Sequence, residues 1–179
     1  MKKTPLILAL SVSVLGLSSL FVSVKPRLVW NRTDSAPRGL YWVKDGPVAE
    51  GNWIVLSPES DPARWIAEHG FIGRGWPVIK QVWAVEGDEI CRDNLLIRVN
   101  GAVVAEAKNQ TSAGVNLPSW QGCRTLEDNE VFLLGNHENS LDGRYFGPVH
   151  RRDIDGVAVL VWKTERQSDG RPVKKAASE

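Results

Sequence analysis

The chain has 179 residues, of which 42% are hydrophobic and 24% are charged, proportions that suit a single globular domain. Its formal net charge is only +1, with both signs interspersed, which argues against a nucleic-acid-binding protein. The eight tryptophans are many for this length. They fit two interpretations, packing in a β core and a position at a membrane interface.

The N-terminus predicts export. It opens with the basic "MKK" and then has no charged residue from Thr4 to Val24. The length of this uncharged run fits either the hydrophobic core of a signal peptide or a membrane-spanning helix of about 20 residues. No clear Ala-X-Ala cleavage site follows, which favours an anchor that is not removed. The alternative is a buried N-terminal helix of a cytosolic domain. We assign residues 1–28 to a signal peptide or membrane anchor.

Five short apolar runs separated by turn-forming residues predict β-strands. They lie at residues 39–43, 52–56, 76–85, 130–136 and 155–162. Residues 57–65, "SPESDPARW", predict a loop because the two prolines lack backbone donors. The following "WIAEHG" predicts one or two helical turns that end at Gly70.

The strongest turn signal lies in "LLIRVNGAVVAEA", where Asn100 and Gly101 separate two apolar runs and predict a β-hairpin. Residues 108–122 are polar and predict a loop, and the polar tail 164–179 predicts disorder. The fold class is therefore mainly β, with one β-rich domain over residues 29–163 and little helix.

Cys91 and Cys123 are the two cysteines of the chain. They fit an oxidising compartment and a single disulfide, and the alternative is two free buried thiols. No Cys-X-X-Cys pair or His/Cys cluster has zinc-site spacing. We expect neither a metal nor a cofactor.

Lys80 is the most informative candidate for chemistry. In a strand over "PVIKQVWAV" it shares a face with Val78, Val82 and Ala84, where a charged ammonium is costly to bury. Desolvation lowers a lysine pKa, and a neutral amine near a hydroxyl can act as a general base. The alternative is a lysine on an edge strand whose head reaches water.

Ser35 in "TDSAPRGLYWV" is the candidate nucleophile, although a serine before Ala-Pro is also a common turn or cap residue. Pro37 and Gly39 allow a tight backbone that exposes the serine oxygen and directs a main-chain N–H at a carbonyl oxygen. Thr33 supplies a second hydroxyl that can donate to the same oxyanion.

A third candidate segment is "LLGNHENSLDGRYFGPV", residues 133–149. His137, Ser140 and Asp142 are residue types of a catalytic triad, but they are too close in sequence to converge on one reacting atom. We favour pairing of Asp142 with Arg144, which would hold a loop near the lysine.

Three segments together resemble the type I signal peptidase superfamily of serine/lysine proteases. They correspond, in the same order along the chain, to its serine box ("SAPRGLYWV"), its lysine box ("KQVWAVEGDEI") and its acidic box (the third candidate segment). The chain is most similar to the branch of conjugative-transfer signal peptidases, the TraF proteins. The resemblance covers about a third of the chain, and the hydrophobic N-terminus and overall length also fit. It implies a β-rich catalytic domain with an apolar surface near the membrane.

Carried over by position, the resemblance implies Ser35 as nucleophile and Lys80 as general base, with Thr33 assisting the Ser35 N–H in the oxyanion hole. It implies that Ser140 orients the lysine, and that Asp142 and Arg144 form the acidic box, with Asp142 needed for activity.

Three positions depart from the general signal-peptidase pattern. The serine is followed by Ala-Pro instead of Met-X-Pro, which points to the TraF branch. Glu86 stands where proline is common, and Gly143 where serine is common. The last two lie outside the proposed Ser/Lys dyad.

The sequence therefore predicts a periplasmic serine endopeptidase at the outer face of the inner membrane. Its expected substrate is a prepilin or other exported precursor, and its expected partner is the conjugative transfer machinery, with no nucleic acid bound. The alternatives are a general type I signal peptidase and a non-catalytic pilus-assembly component. A self-cleaving regulator of the LexA kind would need a DNA-binding region where the hydrophobic segment stands.

Overall fold

The structure is a computed structural model and describes residues 27–164. The predicted anchor 1–28 and tail 164–179 therefore fall almost entirely outside the described residues. Within residues 27–164 no helix is long and apolar enough to cross a membrane.

The described chain is mainly β, as predicted, and its strands form two antiparallel sheets. In chain order the strands are β1 (Leu28–Asn31), β2 (Gly39–Lys44), β3 (Trp53–Leu56), β4 (Val78–Ala84), β5 (Glu89–Asp93), β6 (Leu96–Val99), β7 (Ala102–Glu106), β8 (Gly122–Thr125), β9 (Glu130–Leu134), β10 (Val149–His150) and β11 (Ile154–Lys163). The larger sheet has the order β1-β2-β11-β3-β4-β9-β10, and the smaller has the order β7-β6-β5-β8.

The helices are short. They are α1 (Asp61–Glu68), α2 (Gly143–Phe146) and a single 3-10 turn, Arg151–Asp153. The prediction of a loop over residues 57–65 is wrong from Asp61 onward, because Pro62 lies in the first turn of α1, where a backbone N–H has no helical partner. The Ser60 side chain caps this helix by accepting from the Ala63 N–H.

The hairpin at Asn100 and Gly101 forms as predicted, with φ of 48° and 81°, between β6 and β7. Ile90 and Ile97 of the smaller sheet are fully buried and pack in one cluster with Phe132 of β9. The smaller sheet therefore shares its core with the larger one.

Cys91 and Cys123 face each other across β5 and β8 and form a disulfide with an S–S distance of 2.04 Å. The bond joins two strands that are 32 residues apart in sequence.

Only some of the tryptophans pack in the core. Trp53, Trp83 and Trp120 are partly buried against the hydrophobic clusters. Four others have exposed side chains: Trp30, Trp42, Trp76 and Trp162. Core packing therefore accounts for only part of the set.

Candidate active site

The candidate nucleophile lies in the loop of residues 32–38, which joins β1 to β2. Gly39 begins β2 at φ 150°, and a Cβ there would lie 2.0 Å from the Trp162 carbonyl oxygen of β11. Close strand pairing therefore requires glycine here, whereas the sequence suggested that Gly39 shapes the backbone around Ser35.

The interior of this loop is filled by Asn31, the last residue of β1. Its amide nitrogen donates to the carbonyl oxygens of Thr33, Ala36 and Pro37 at 3.0, 3.0 and 3.1 Å. Its amide oxygen accepts from the Thr33 N–H and the Thr33 hydroxyl. Thr33 Oγ1 also lies 2.9 Å from Ser35 Oγ.

Lys80 lies in the middle of the larger sheet. Strand β4 pairs with β3 on one side and β9 on the other, and Lys80 stands opposite Ile54. Only 4% of its surface is exposed, and its Nζ donates to Ser140 Oγ at 2.7 Å. This placement contradicts the alternative of an edge-strand lysine whose head reaches water.

The environment of Lys80 favours its neutral form. Burial lowers the pKa of Lys80 to about 8, mainly because the ammonium loses its water. The Asp142 carboxylate raises this pKa and the Arg144 guanidinium lowers it, so the two nearby charges act in opposite directions. A lysine in this state can exchange protons near neutral pH.

The third segment is organised by the carboxylate of Asp142. One oxygen accepts from the Gly135 N–H at 2.8 Å and the other from the Arg144 N–H at 3.1 Å, where Asp142 caps α2. Arg144 Nη1 lies 3.4 Å from the same carboxylate. Both side chains are at least nine-tenths buried, so this ion pair is shielded from solvent.

The Arg144 guanidinium holds the preceding loop in place by hydrogen bonds. It donates to backbone carbonyl oxygens at 3.0 to 3.3 Å, and the loop that carries Ser140 is wrapped around it. The accepting residues are Gly135, His137, Glu138 and Ser140. Arg144 thus fixes the position from which Ser140 contacts Lys80.

The predicted segments meet at one cavity of about 350 Å³. Ser35, Thr33, Lys80 and Ser140 all line it. The Asn136 N–H also donates to the Ser35 carbonyl oxygen at 2.9 Å, which ties the serine loop to the third segment. Apolar side chains complete the wall, among them Trp30, Ile66, Phe71, Ile72 and Trp76.

Sequence reasoning missed two residues that hold this arrangement. Asn31 gave no signal, because an asparagine that ends a strand belongs to no motif. Gly135 stood out only as part of its segment, yet a Cβ there would lie 2.2 Å from Ser140 Oγ and 3.0 Å from the Ser35 carbonyl oxygen. It is the contact with Ser140 and Ser35 that requires glycine.

The departure at Gly143 also has a structural reason. A Cβ at this position would lie 2.6 Å from the Phe132 ring and 2.7 Å from the Leu133 carbonyl oxygen. A serine would clash with the backbone of β9. The Phe132 ring occupies the space that a side chain at position 143 would need.

Glu89, Cys91 and Cys123 are the one group in the described chain with ligand atoms close enough for a metal ion. Both sulfurs are already joined in the disulfide, so they offer no thiolate. The group therefore does not fit a metal site.

Comparison with known proteins identifies the family. The model of the family described as signal peptidase, peptidase S26, matches residues 2–163. The plasmid transfer protein TraF of Escherichia coli is 35% identical over 145 residues, which cover 74% of this chain and 82% of that protein.

A conjugal transfer protein TraF of Agrobacterium tumefaciens (strain 15955) is 31% identical over 130 residues, covering 66% of this chain and 73% of that protein. The crystal structure of a signal peptidase I from Enterococcus faecalis V583 aligns with 64% of this chain and 98% of its own, with 22% identity and a TM-score of 0.37. The resemblance found in the sequence is confirmed, and the chain belongs to the signal peptidase family, peptidase S26.

Proposed function

We propose that the chain is a serine endopeptidase that uses Ser35 as nucleophile and Lys80 as general base. The observation that carries this proposal is the cavity in which a buried lysine, held by Ser140, faces the same space as Ser35. Burial keeps much of the Lys80 population neutral at a pH where a free lysine is charged.

In the proposed reaction Ser35 Oγ forms a bond to the scissile carbonyl carbon as its proton moves to Lys80 Nζ. The tetrahedral intermediate collapses when Lys80 returns this proton to the leaving amine and the C–N bond breaks. Water, or an amine, then attacks the carbonyl carbon of the acyl-enzyme and gives a proton to neutral Lys80. The bond between this carbon and Ser35 Oγ breaks as Lys80 passes the proton to Oγ, which restores the Ser35 hydroxyl.

The Ser35 N–H is the proposed oxyanion donor, because it makes no hydrogen bond within residues 27–164. Thr33 is the proposed second donor, although its hydroxyl is engaged with Asn31 at 2.9 Å and must first turn away. One well-placed donor of this kind is typically worth about 3 kcal/mol.

Asp142 and Arg144 are proposed to position the site. Within the described residues the Asp142 carboxylate accepts from the Gly135 and Arg144 N–H groups and makes no hydrogen bond to Ser35 or Lys80. Its removal would leave the buried Arg144 guanidinium without its counter-ion and release the Ser140 loop.

The dependence of activity on pH follows from the lowered pKa of Lys80. Since the base works only when deprotonated, kcat/KM is expected to rise with pH through about 8 and then level off. A lysine in water would place this rise near 10.5. The measurement is a pH profile of kcat/KM, and a rise only near the higher value would contradict a desolvated base.

The substrate we propose is the precursor of a conjugative pilin, presented at the membrane during plasmid transfer. Support comes from the two TraF relatives, whose names place them in plasmid or conjugal transfer. We add the hypothesis that the N-terminal amine of the pilin resolves the acyl-enzyme and closes a ring. Mass spectrometry of the mature pilin decides this, because the ring is lighter than the linear product by one water.

The test of the proposed function is processing of the pilin precursor by the full chain, compared with Ser35→Ala and with a chain carrying Lys44→Met as an exposed control. We expect cleavage by the wild type and the control and none by Ser35→Ala. Retained cleavage in Ser35→Ala would instead favour a non-catalytic assembly component. Broad loss of protein secretion on gene deletion would favour a general signal peptidase.

We further propose that the domain works against the inner membrane, through an apolar strip on β1, β2 and β11. The strip consists of the exposed side chains of Leu28, Trp30, Trp42, Val159, Val161 and Trp162. Trp30 also lines the cavity, so the strip is continuous with the active site. Tryptophan is enriched at membrane interfaces, where its amphipathic ring lies at the level of the lipid headgroups.

Lipid contact at this strip predicts that brominated acyl chains quench the tryptophan fluorescence of the full chain in vesicles. The double variant Trp42→Ser/Trp162→Ser is expected to show clearly less quenching, because it removes two of the three exposed tryptophans of the strip and leaves Trp30. Val103→Ser, an exposed apolar position on the smaller sheet, serves as control. Equal quenching in all three proteins would show that the strip does not meet lipid.

A further inference from the structure

The hydrogen bonds around Asn31 determine where the proton of Ser35 lies before substrate binds. We infer that Asn31 is a positioning residue that fixes the Thr33 hydroxyl as the acceptor of the Ser35 proton in the resting protein. The structural part of this inference stands alone, and its effect on catalysis rests on the proposed function.

The orientation of the Asn31 amide follows from its partners. One end of the amide faces three carbonyl oxygens, which can only accept, so this end must be the NH₂ group. The other end faces the backbone N–H of Thr33, which can only donate, so it must be the oxygen. Asn31 is only 8% exposed and its bond to the Ala36 carbonyl oxygen is buried, whereas Thr33 is exposed and its contact with Ser35 is open to solvent.

This orientation sets the direction of the neighbouring hydroxyls. The Thr33 hydroxyl has a single proton, and the Asn31 oxygen, 2.9 Å away, can only accept it. Thr33 Oγ1 then has only lone pairs to offer to Ser35 Oγ, also at 2.9 Å. In the bond between these two hydroxyls Ser35 is therefore the donor, and the chain of donors runs from Ser35 through Thr33 to Asn31.

The consequence for catalysis is a resting state in which the Ser35 proton is turned toward Thr33 while the Lys80 Nζ donates to Ser140. Activation requires rotation about the Cβ–Oγ bond of Ser35, which turns the proton from Thr33 toward the cavity that Lys80 also lines. During this rotation the Thr33 hydroxyl stays bonded to Asn31, and it turns away only afterwards, when it donates to the oxyanion. Asn31 keeps Thr33 in the rotamer that holds Ser35 Oγ in place while this rotation occurs.

Kinetics of precursor cleavage test the role in catalysis. Asn31→Ala and Thr33→Val are each expected to lower kcat by about tenfold or more, with a smaller change in KM, because both release the oxygen of Ser35 from its position. If Asn31 acts through Thr33, the double variant loses no more than the worse single variant. A loss equal to the product of the two single losses would show that Asn31 supports the loop independently of Thr33.

Asn100→Ala is the matched control, because the Asn100 amide is also bonded at both ends, to Asp88 and to the Glu89 N–H, but in the smaller sheet. It is expected to lower the melting temperature without lowering kcat. A fall in kcat with Asn100→Ala as large as with Asn31→Ala would reduce the Asn31 effect to general destabilisation.

Neutron diffraction from crystals of the deuterated full chain tests the proton positions without any substrate. The Thr33 deuteron is expected on the line to the Asn31 oxygen, and the Ser35 deuteron on the line to Thr33. A Thr33 deuteron that points at Ser35 would overturn the inference. Since the deuteron positions do not depend on cleavage, an inactive wild type would refute the proposed function alone, and the neutron map would still decide the direction of these hydrogen bonds.

Discussion

Replacing Lys80 by methionine is expected to abolish precursor cleavage and, at the same pH, to stabilise the fold. Methionine has a similar length and no charge, so it fits the buried site on β4 without an ammonium. Loss of the proposed general base should lower kcat by at least about 10³-fold, within the range for removal of a proton-transfer group. A residue that is essential for activity is thus expected to weaken the structure that contains it.

The gain in stability depends on pH with a defined sign. The pKa of Lys80 is about 8 in the folded protein, and we take the ordinary lysine value of 10.5 for the unfolded chain. Between these values the unfolded chain binds more protons, so the wild type becomes more stable as pH rises. Below the lower value both states are charged, and the buried ammonium lowers the free energy of unfolding by about 3 kcal/mol.

Lys80→Met removes this penalty but also loses the hydrogen bond to Ser140, which is worth about 1 kcal/mol. A net gain of about 2 kcal/mol is therefore expected below pH 8, falling away toward pH 10.5. Denaturant unfolding at several pH values measures it, with Lys44→Met as the exposed-lysine control. A variant less stable than the wild type at low pH would mean that Lys80 is well solvated in the folded state.

Much of the fold followed from local sequence signals. The hairpin at Asn100 and Gly101 was predictable because its turn requires positive φ at both residues. The strand pattern around Lys80 left a buried and an edge-strand lysine both open, and the pairing of β4 on both sides decides for the buried one. Helix α1 was missed at its start because Pro62 was treated as a helix breaker without regard to its place in the first turn. The pairing of β5 with β8 had no local signal, since it joins segments that are distant in sequence.

In the candidate site, sequence motifs pointed to residues whose side chains can do chemistry and gave no signal for residues that only hold the others in position. Ser35, Lys80 and Asp142 stand in recognisable segments, so their order along the chain pointed to them. Asn31 and Gly135 matter only through contacts with other parts of the loops around them. Such contacts depend on how the loops meet in space, which no short window of sequence encodes.

Gly135→Ala is expected to remove most of the activity while the fold persists. The added Cβ would lie 2.2 Å from Ser140 Oγ and 2.9 Å from Ser140 Cβ, so the serine must leave its place beside Lys80. The backbone of Gly135 is unable to yield, because its N–H is bound by Asp142 and its carbonyl oxygen by Arg144. A displacement of about 1 Å at a catalytic group typically lowers the rate on the order of 10²-fold.

Gly46→Ala is the matched control for this substitution, because a Cβ there would meet only Val157 Cγ2, at an ordinary 3.8 Å. It is expected to leave kcat unchanged, whereas Gly135→Ala lowers it and reduces the free energy of unfolding by about 1–3 kcal/mol. The double variant Gly135→Ala/Ser140→Ala separates displacement of Ser140 from general damage. If the clash acts through Ser140, this variant is no less active than Gly135→Ala alone, and a further large fall in kcat would show that Ser140 had kept its contact with Lys80.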